Sequence, residues 1–181
     1  MNFQDIPQFP KAHYTIDVEW KELPRFLTEQ CDGLDLDPDY QRAHVWTEQQ
    51  KRAYIEYMLQ GGEVARTVIV NAPRWEPDSY RSATLVDGKQ RISAILDFMG
   101  NRLPIFGGHR YCDFTGHIRL VNGRLKWCVV SLSSRAQLLQ LYLNINAGGT
   151  PHAPEEINRV VTDSITNWFF KTQISLWNTK S

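Results

Sequence analysis

Apolar residues along this chain change their spacing several times, and the changes predict its elements. Residues 1–14, with Pro7 and Pro10, read as an extended arm. From Trp20 to Gln30 apolar residues fall at 20, 23, 26 and 27, a helical spacing. Gly33 to Pro38 reads as a brief strand or turn, and Tyr40 to Trp46 as a polar–aromatic stretch without a period. Thr47-Glu48-Gln49-Gln50 has the form of a capping box, with Thr47 as N-cap and Gln50 three residues on. The helix it opens puts Tyr54, Ile55, Met58 and Leu59 on one face and stops at Gly61-Gly62. Thr67–Val70 is a β-branched strand, and residues 72–82, with Pro73 and Pro77, are a loop. A second short strand, 83–86, leads through Asp87-Gly88 into a helix over 89–99, closed by Gly100-Asn101.

Further on, Asn122-Gly123 lies between the β-type runs Ile118–Val121 and Leu125–Val130, which predicts a hairpin. Ser133-Ser134 caps a helix through Leu143. A loop from Asn144 to Pro154 then leads to a last helix, Glu155 to about Phe170, and a polar tail over 171–181. The pattern describes an α+β fold, a small mixed sheet with flanking helices. The expected organisation is an arm (1–14), one domain (15–170) and a tail.

Composition narrows the classes of function. With 181 residues, 42% of them hydrophobic and 22% charged, the chain resembles an ordinary globular protein with a real core. Lys plus Arg equal Asp plus Glu at 20 each, which argues against non-specific coating of nucleic acid but allows a local basic pocket. Zero net charge and Trp168-Phe169-Phe170 near the end point to self-association or a protein partner. No apolar run approaches the roughly 18 residues of a membrane span, and the start lacks the pattern of a signal peptide. Three cysteines without paired spacing fit a reducing, cytoplasmic setting.

The chemistry concentrates at Asp87-Gly88-Lys89-Gln90-Arg91. A strand feeding a turn that opens a helix leaves the first N–H groups of the helix unpaired, at the positive end of its dipole, where phosphate binds. Gly88 allows close backbone approach. Lys89 and Arg91 place cations where the dipole disfavours them, which suggests an external anion. The alternative is a solvated first turn, with Asp87 as helix cap.

Tyr40-Gln41-Arg42 with Trp46, then Val86–Leu96 around the Asp-Gly turn, then Asn144-Ile145-Asn146 with Gly148-Gly149-Thr150-Pro151 and Glu155, follow a recognisable order. Over roughly residues 34–160 the chain resembles the N-terminal domain of GmrS/GmrD-type modification-dependent restriction endonucleases, a branch of the ParB/sulfiredoxin-like superfamily. The resemblance implies a ParB-like domain whose Asp-Gly-x-Gln-Arg turn binds a nucleoside triphosphate, with hydrolysis in several relatives. In the family the residue at Lys89 is usually Gln; a Lys also reaches a phosphate.

By that resemblance Asp87 would hold Mg²⁺ or orient water, since hard cations on phosphate favour carboxylate oxygens. Gly88 and the N–H groups after it would cradle phosphate, with Lys89 beside them. Arg91, with Gln90, would act on the transferring phosphoryl group. Gln41 and Arg42 would approach from the preceding element, and Asn146 with Gly148-Gly149 would close the pocket. Structural alternatives stand beside these roles: Arg42 pairing with Asp37 or Asp39, and Asn146 ending its helix.

Three functions follow from this reading. One is a slow Mg²⁺-dependent NTPase switch in a restriction or phage-defence system. Another is a non-catalytic module that binds nucleotide, DNA or a protein partner, favoured by the missing C-terminal nuclease domain of larger relatives. The third is a stand-alone DNA nickase. His109, Cys112, His117 and Cys128 match no compact zinc framework. Phe106-Gly107-Gly108-His109-Arg110 resembles the sulfiredoxin active-site loop but lacks its Cys, so it reads as a loop without a nucleophile.

Overall fold

A computed structural model describes residues 2, 13–41, 46–73, 80, 82–119 and 122–146. The expected last helix over 155–170, the tail, the aromatic triplet at 168–170 and nearly all of the arm lie outside those residues. The chain divides into two compact units, residues 10–131 and residues 1–9 with 132–181.

The first unit is built on a four-stranded mixed sheet, confirming the α+β class. Its strands are β1 (Tyr14–Glu19), β2 (Thr67–Asn71), β3 (Thr84–Asp87) and β4 (Arg124–Val130), in the order β1-β4-β2-β3. β1 runs antiparallel to β4, β2 parallel to β4, and β3 antiparallel to β2. In β4 the buried positions Leu125, Trp127 and Val129 alternate, as a strand with one face on a core requires. Between β1 and Gln30 the chain passes through a 3₁₀ turn (Trp20–Glu22), one α turn, α1 (Leu23–Arg25), and a π-helical turn (Phe26–Gln30). Helices α2 (Glu48–Leu59) and α3 (Lys89–Met99) complete the unit. Ile55 and Met58 of α2, Ile92, Ile95 and Phe98 of α3, and Trp127 of β4 join one buried cluster.

The capping box forms as expected. Thr47 accepts from the Gln50 N–H at 3.2 Å, and the Gln50 side chain accepts from the Thr47 N–H at 2.9 Å. In the second unit, α4 (Arg135–Asn146) begins after Ser134, which accepts from the Gln137 N–H at 3.2 Å, and runs three residues beyond the expected end.

Two expectations need correction. β1 is a strand where the pattern assigned the arm to Tyr14 and no element to 15–19; only Val18 is buried, so the alternation that marks a buried face is weak. The hairpin does not form. Asn122 and Gly123 do turn, both donating to the Arg119 carbonyl at 2.8 and 3.0 Å, but Ile118 and Arg119 are not in a strand. β1 takes one edge of β4 and β2 the other, which leaves no edge for a third partner.

Candidate functional site

The Asp87–Arg91 turn is shaped by its glycine. Gly88, the N-cap of α3, has φ +110°, the left-handed region that favours glycine. A Cβ there would lie 2.8 Å from Val68 Cγ2 and 3.1 Å from Val68 Cα, so the turn closes directly onto β2. Gly88 offers no side chain to the first-turn N–H groups of α3, and that turn holds no acidic residue. The Asp87 carboxylate meets the same helix at Arg91. Its Oδ2 accepts from Arg91 Nη1 at 2.8 Å, and both side chains keep only about a fifth to a quarter of their exposure, at 24% and 20%. Arg91 Nη1 also donates to the Thr67 carbonyl at 2.5 Å, tying the helix to the start of β2.

The neighbouring polar residues are engaged as well. Lys89 forms an ion pair with Asp37, and Gln90 Oε1 accepts from the Trp46 N–H at 2.9 Å. Gln41 donates through its amide to the Leu85 carbonyl. Tyr40 donates its hydroxyl to the same carbonyl at 3.0 Å and lies 3.2 Å from Thr84 Oγ1. The backbone of Asp35 pairs with β3 too: its N–H donates to Ala83 and its carbonyl accepts from Leu85. Residues 35–41 thus lie along the outer edge of β3 and end beside the turn. The structure brings Asp87, Gly88, Lys89, Gln90, Arg91 and Gln41 together.

Arg42 and Gly148-Gly149 lie outside the described residues. Asn146 is the last residue of α4, in the other unit, and its amide donates back to the Tyr142 carbonyl at 2.7 Å. The sequence reading missed Asp37 as the partner of Lys89, and it missed the Tyr40 hydroxyl. Tyr40 stood in the motif beside Gln41, so adjacency could have found it. Nothing in the spacing marks Asp37, 52 residues from Lys89.

Behind the turn α2 is clamped to α3. Lys51 Nζ donates to Ser93 Oγ at 2.8 Å and to Asp97 Oδ2 at 2.7 Å, and Arg102 pairs with the other Asp97 oxygen. Burial by itself would raise the Asp97 pKa; the hydrogen bonds from Lys51 and Arg102 outweigh it and hold the carboxyl below its usual value.

Among the described residues no three His, Cys, Asp or Glu side chains gather as a metal cage. Asp87 is the one carboxylate within the turn. That donor set fits a Mg²⁺ held by a single carboxylate, with phosphate oxygens and water completing the shell. No helix among the described residues is long and apolar enough to cross a membrane.

Compared with known proteins, residues 23–124, more than half of the chain, match the family described as the GmrSD restriction endonuclease, N-terminal domain. No curated protein and no solved structure gives a match.

Proposed function

The chain belongs to the GmrSD restriction endonuclease N-terminal domain family, and from that premise we propose that its Asp87–Arg91 turn binds the phosphates of a nucleoside triphosphate within a restriction system acting on DNA. The supporting observation is the uncapped N-terminus of α3 behind Gly88, with Lys89 and Arg91 in its first turn. An anion seated there would take hydrogen bonds from the N–H groups of that first turn. Lys89 reaches the anion by leaving Asp37, whose side chain is 77% exposed and solvated on its own. Arg91 stays anchored between Asp87 and Thr67 and contributes charge from a fixed position. Bound Mg²⁺ would neutralise phosphate charge beside Asp87, which supports slow hydrolysis as a switch.

A second reading, binding without turnover, is favoured by one contact. The Asp87 carboxylate is already neutralised by Arg91 at 2.8 Å, the arrangement of a structural anchor.

Titration with each nucleoside triphosphate, with and without Mg²⁺, separates these readings when binding and phosphate release are followed together. Lys89→Ala is the informative variant, because the family's Gln at this position could itself reach a phosphate and because the Lys89 side chain pairs with the exposed Asp37. Losing one charge-assisted bond weakens binding about ten- to a hundredfold with the melting temperature unchanged. Release of phosphate supports the switch, and binding without release supports the module. Absence of binding to every nucleotide overturns the proposal.

A further inference from the structure

At the far end of α3, about 14 Å along the helix from Lys89, lies a cavity of about 470 Å³. That is the size of a small-molecule site. Its walls include Phe98, Phe106, Tyr111 and Phe114, with His117 and Arg119 among its polar residues. Phe98 meets Tyr111 and Phe114 edge to face, with centroids 5.5 and 6.2 Å apart. Phe106 and Phe114 nevertheless remain 41% and 43% exposed.

Phe106 has φ +44°, a left-handed conformation unfavourable for a bulky residue. It is held there by its N–H donating to Glu56 Oε1 at 2.6 Å, and by reciprocal backbone bonds of 2.8 Å between Ile105 and His109. Gly107 and Gly108 complete that loop. The fold thus maintains strain that leaves an aromatic ring partly in solvent, a pattern that marks ligand contacts.

Charge selects the class of ligand. Among the described residues no carboxylate lines the cavity, although the chain as a whole is neutral. The nearby cavity of about 300 Å³ beside Lys89 is lined by both Asp37 and Asp97. Aromatic walls with an arginine and no acid suit a flat ring that carries negative charge.

We infer that this cavity binds a nucleobase with its phosphate, stacking the base on Phe106 and Phe114 with Arg119 on the phosphate. The inference rests on the reading of the chain as part of a system acting on DNA. It assigns a second site, separate from the Asp87–Arg91 turn. An unstacked base of a single strand presents this chemistry, and so does a free nucleotide.

The test uses the full chain and 2-aminopurine, whose emission reports stacking, in three forms: within a short single-stranded DNA, in the matching duplex, and as the free triphosphate. The single strand is expected to bind with a change in emission. Phe106→Gly removes the ring and suits the left-handed backbone, so it keeps the fold. Phe114→Ala truncates an exposed ring. Each is expected to weaken strand binding about fivefold or more, the range of one base–aromatic stack, and Arg119→Gln to reduce its salt dependence. Binding of the free triphosphate that depends on Phe106 supports the same base site with free nucleotide as its source. Wild-type affinity in both aromatic variants, or binding without a change in emission, overturns the inference. A protein that binds triphosphate at the turn, as Lys89→Ala reports, yet gives no Phe106-dependent signal fails here alone. The converse result fails only the turn.

Discussion

Gly88 carries two constraints at one residue, a left-handed φ and a contact with Val68 that a Cβ would violate at 2.8 Å. Gly88→Ala adds backbone strain to a clash that β2 cannot relieve without moving its main chain. The expected loss is about 2 kcal/mol or more, read as a lower urea midpoint; an unchanged midpoint would show that the turn can adjust. Arg91 acts on the same turn from the other side. Arg91→Ala removes the partner of Asp87 and one donor to the Thr67 carbonyl, at a cost of about 1–3 kcal/mol. Lost activity in that variant therefore has to be read beside its stability, whereas Lys89→Ala reports on the ligand.

At the scale of elements, the Lys51–Ser93–Asp97 contact is the polar clamp between α2 and α3. The Asp97 carboxyl ionises below its ordinary value of 3.8. Its contribution is thus fully present above that pH and fades as pH falls through the lower, folded value. Lys51→Met is expected to destabilise the protein by about 1 kcal/mol at neutral pH and by less once Asp97 is protonated. Melts across the acid range check this, and a penalty that does not change with pH would refute the clamp. Thr47→Ala, which breaks the capping box, should cost about 1 kcal/mol with no such pH dependence.

At the scale of the whole molecule, burial in the core keeps Cys31, Tyr54 and Tyr80 neutral. Burial pushes the Cys31 thiol from 9.0 up to about 12, with a hydrogen bond from Tyr80 opposing it. Burial likewise lifts Tyr54 and Tyr80 from 10.0 to about 12. Each group keeps its proton in the fold at pH values where the unfolded chain has lost it. Stability from these sites is full below about pH 9 and falls as pH rises toward 12. Alkaline melts followed with tyrosinate absorbance should show ionisation and unfolding together. Tyrosine ionisation that ends well before unfolding would show that Tyr54 and Tyr80 are accessible in the fold.

Legibility in the sequence followed the range of the interactions. The capping box at Thr47, the helix after Gly88 and the Asp87–Arg91 contact lie within four residues of chain, so pattern and spacing reveal these elements. The order of Tyr40-Gln41-Arg42 with Trp46, one helix, one strand and Val86–Leu96 pointed to the family. Long-range pairing was not legible. β4 reads as half of a hairpin because Asn122-Gly123 favours one locally, yet β1, a hundred residues away, and β2 occupy its edges. The partners of Lys89, Gln90 and Gln41 come from elements brought together by the sheet. Phe106 read as a loop residue; its strain and the aromatic cavity exist only once α2, α3 and the loop meet. Local hydrogen bonding and side-chain period are written along the chain, whereas strand partners, ion pairs and cavities depend on which surfaces burial brings into contact.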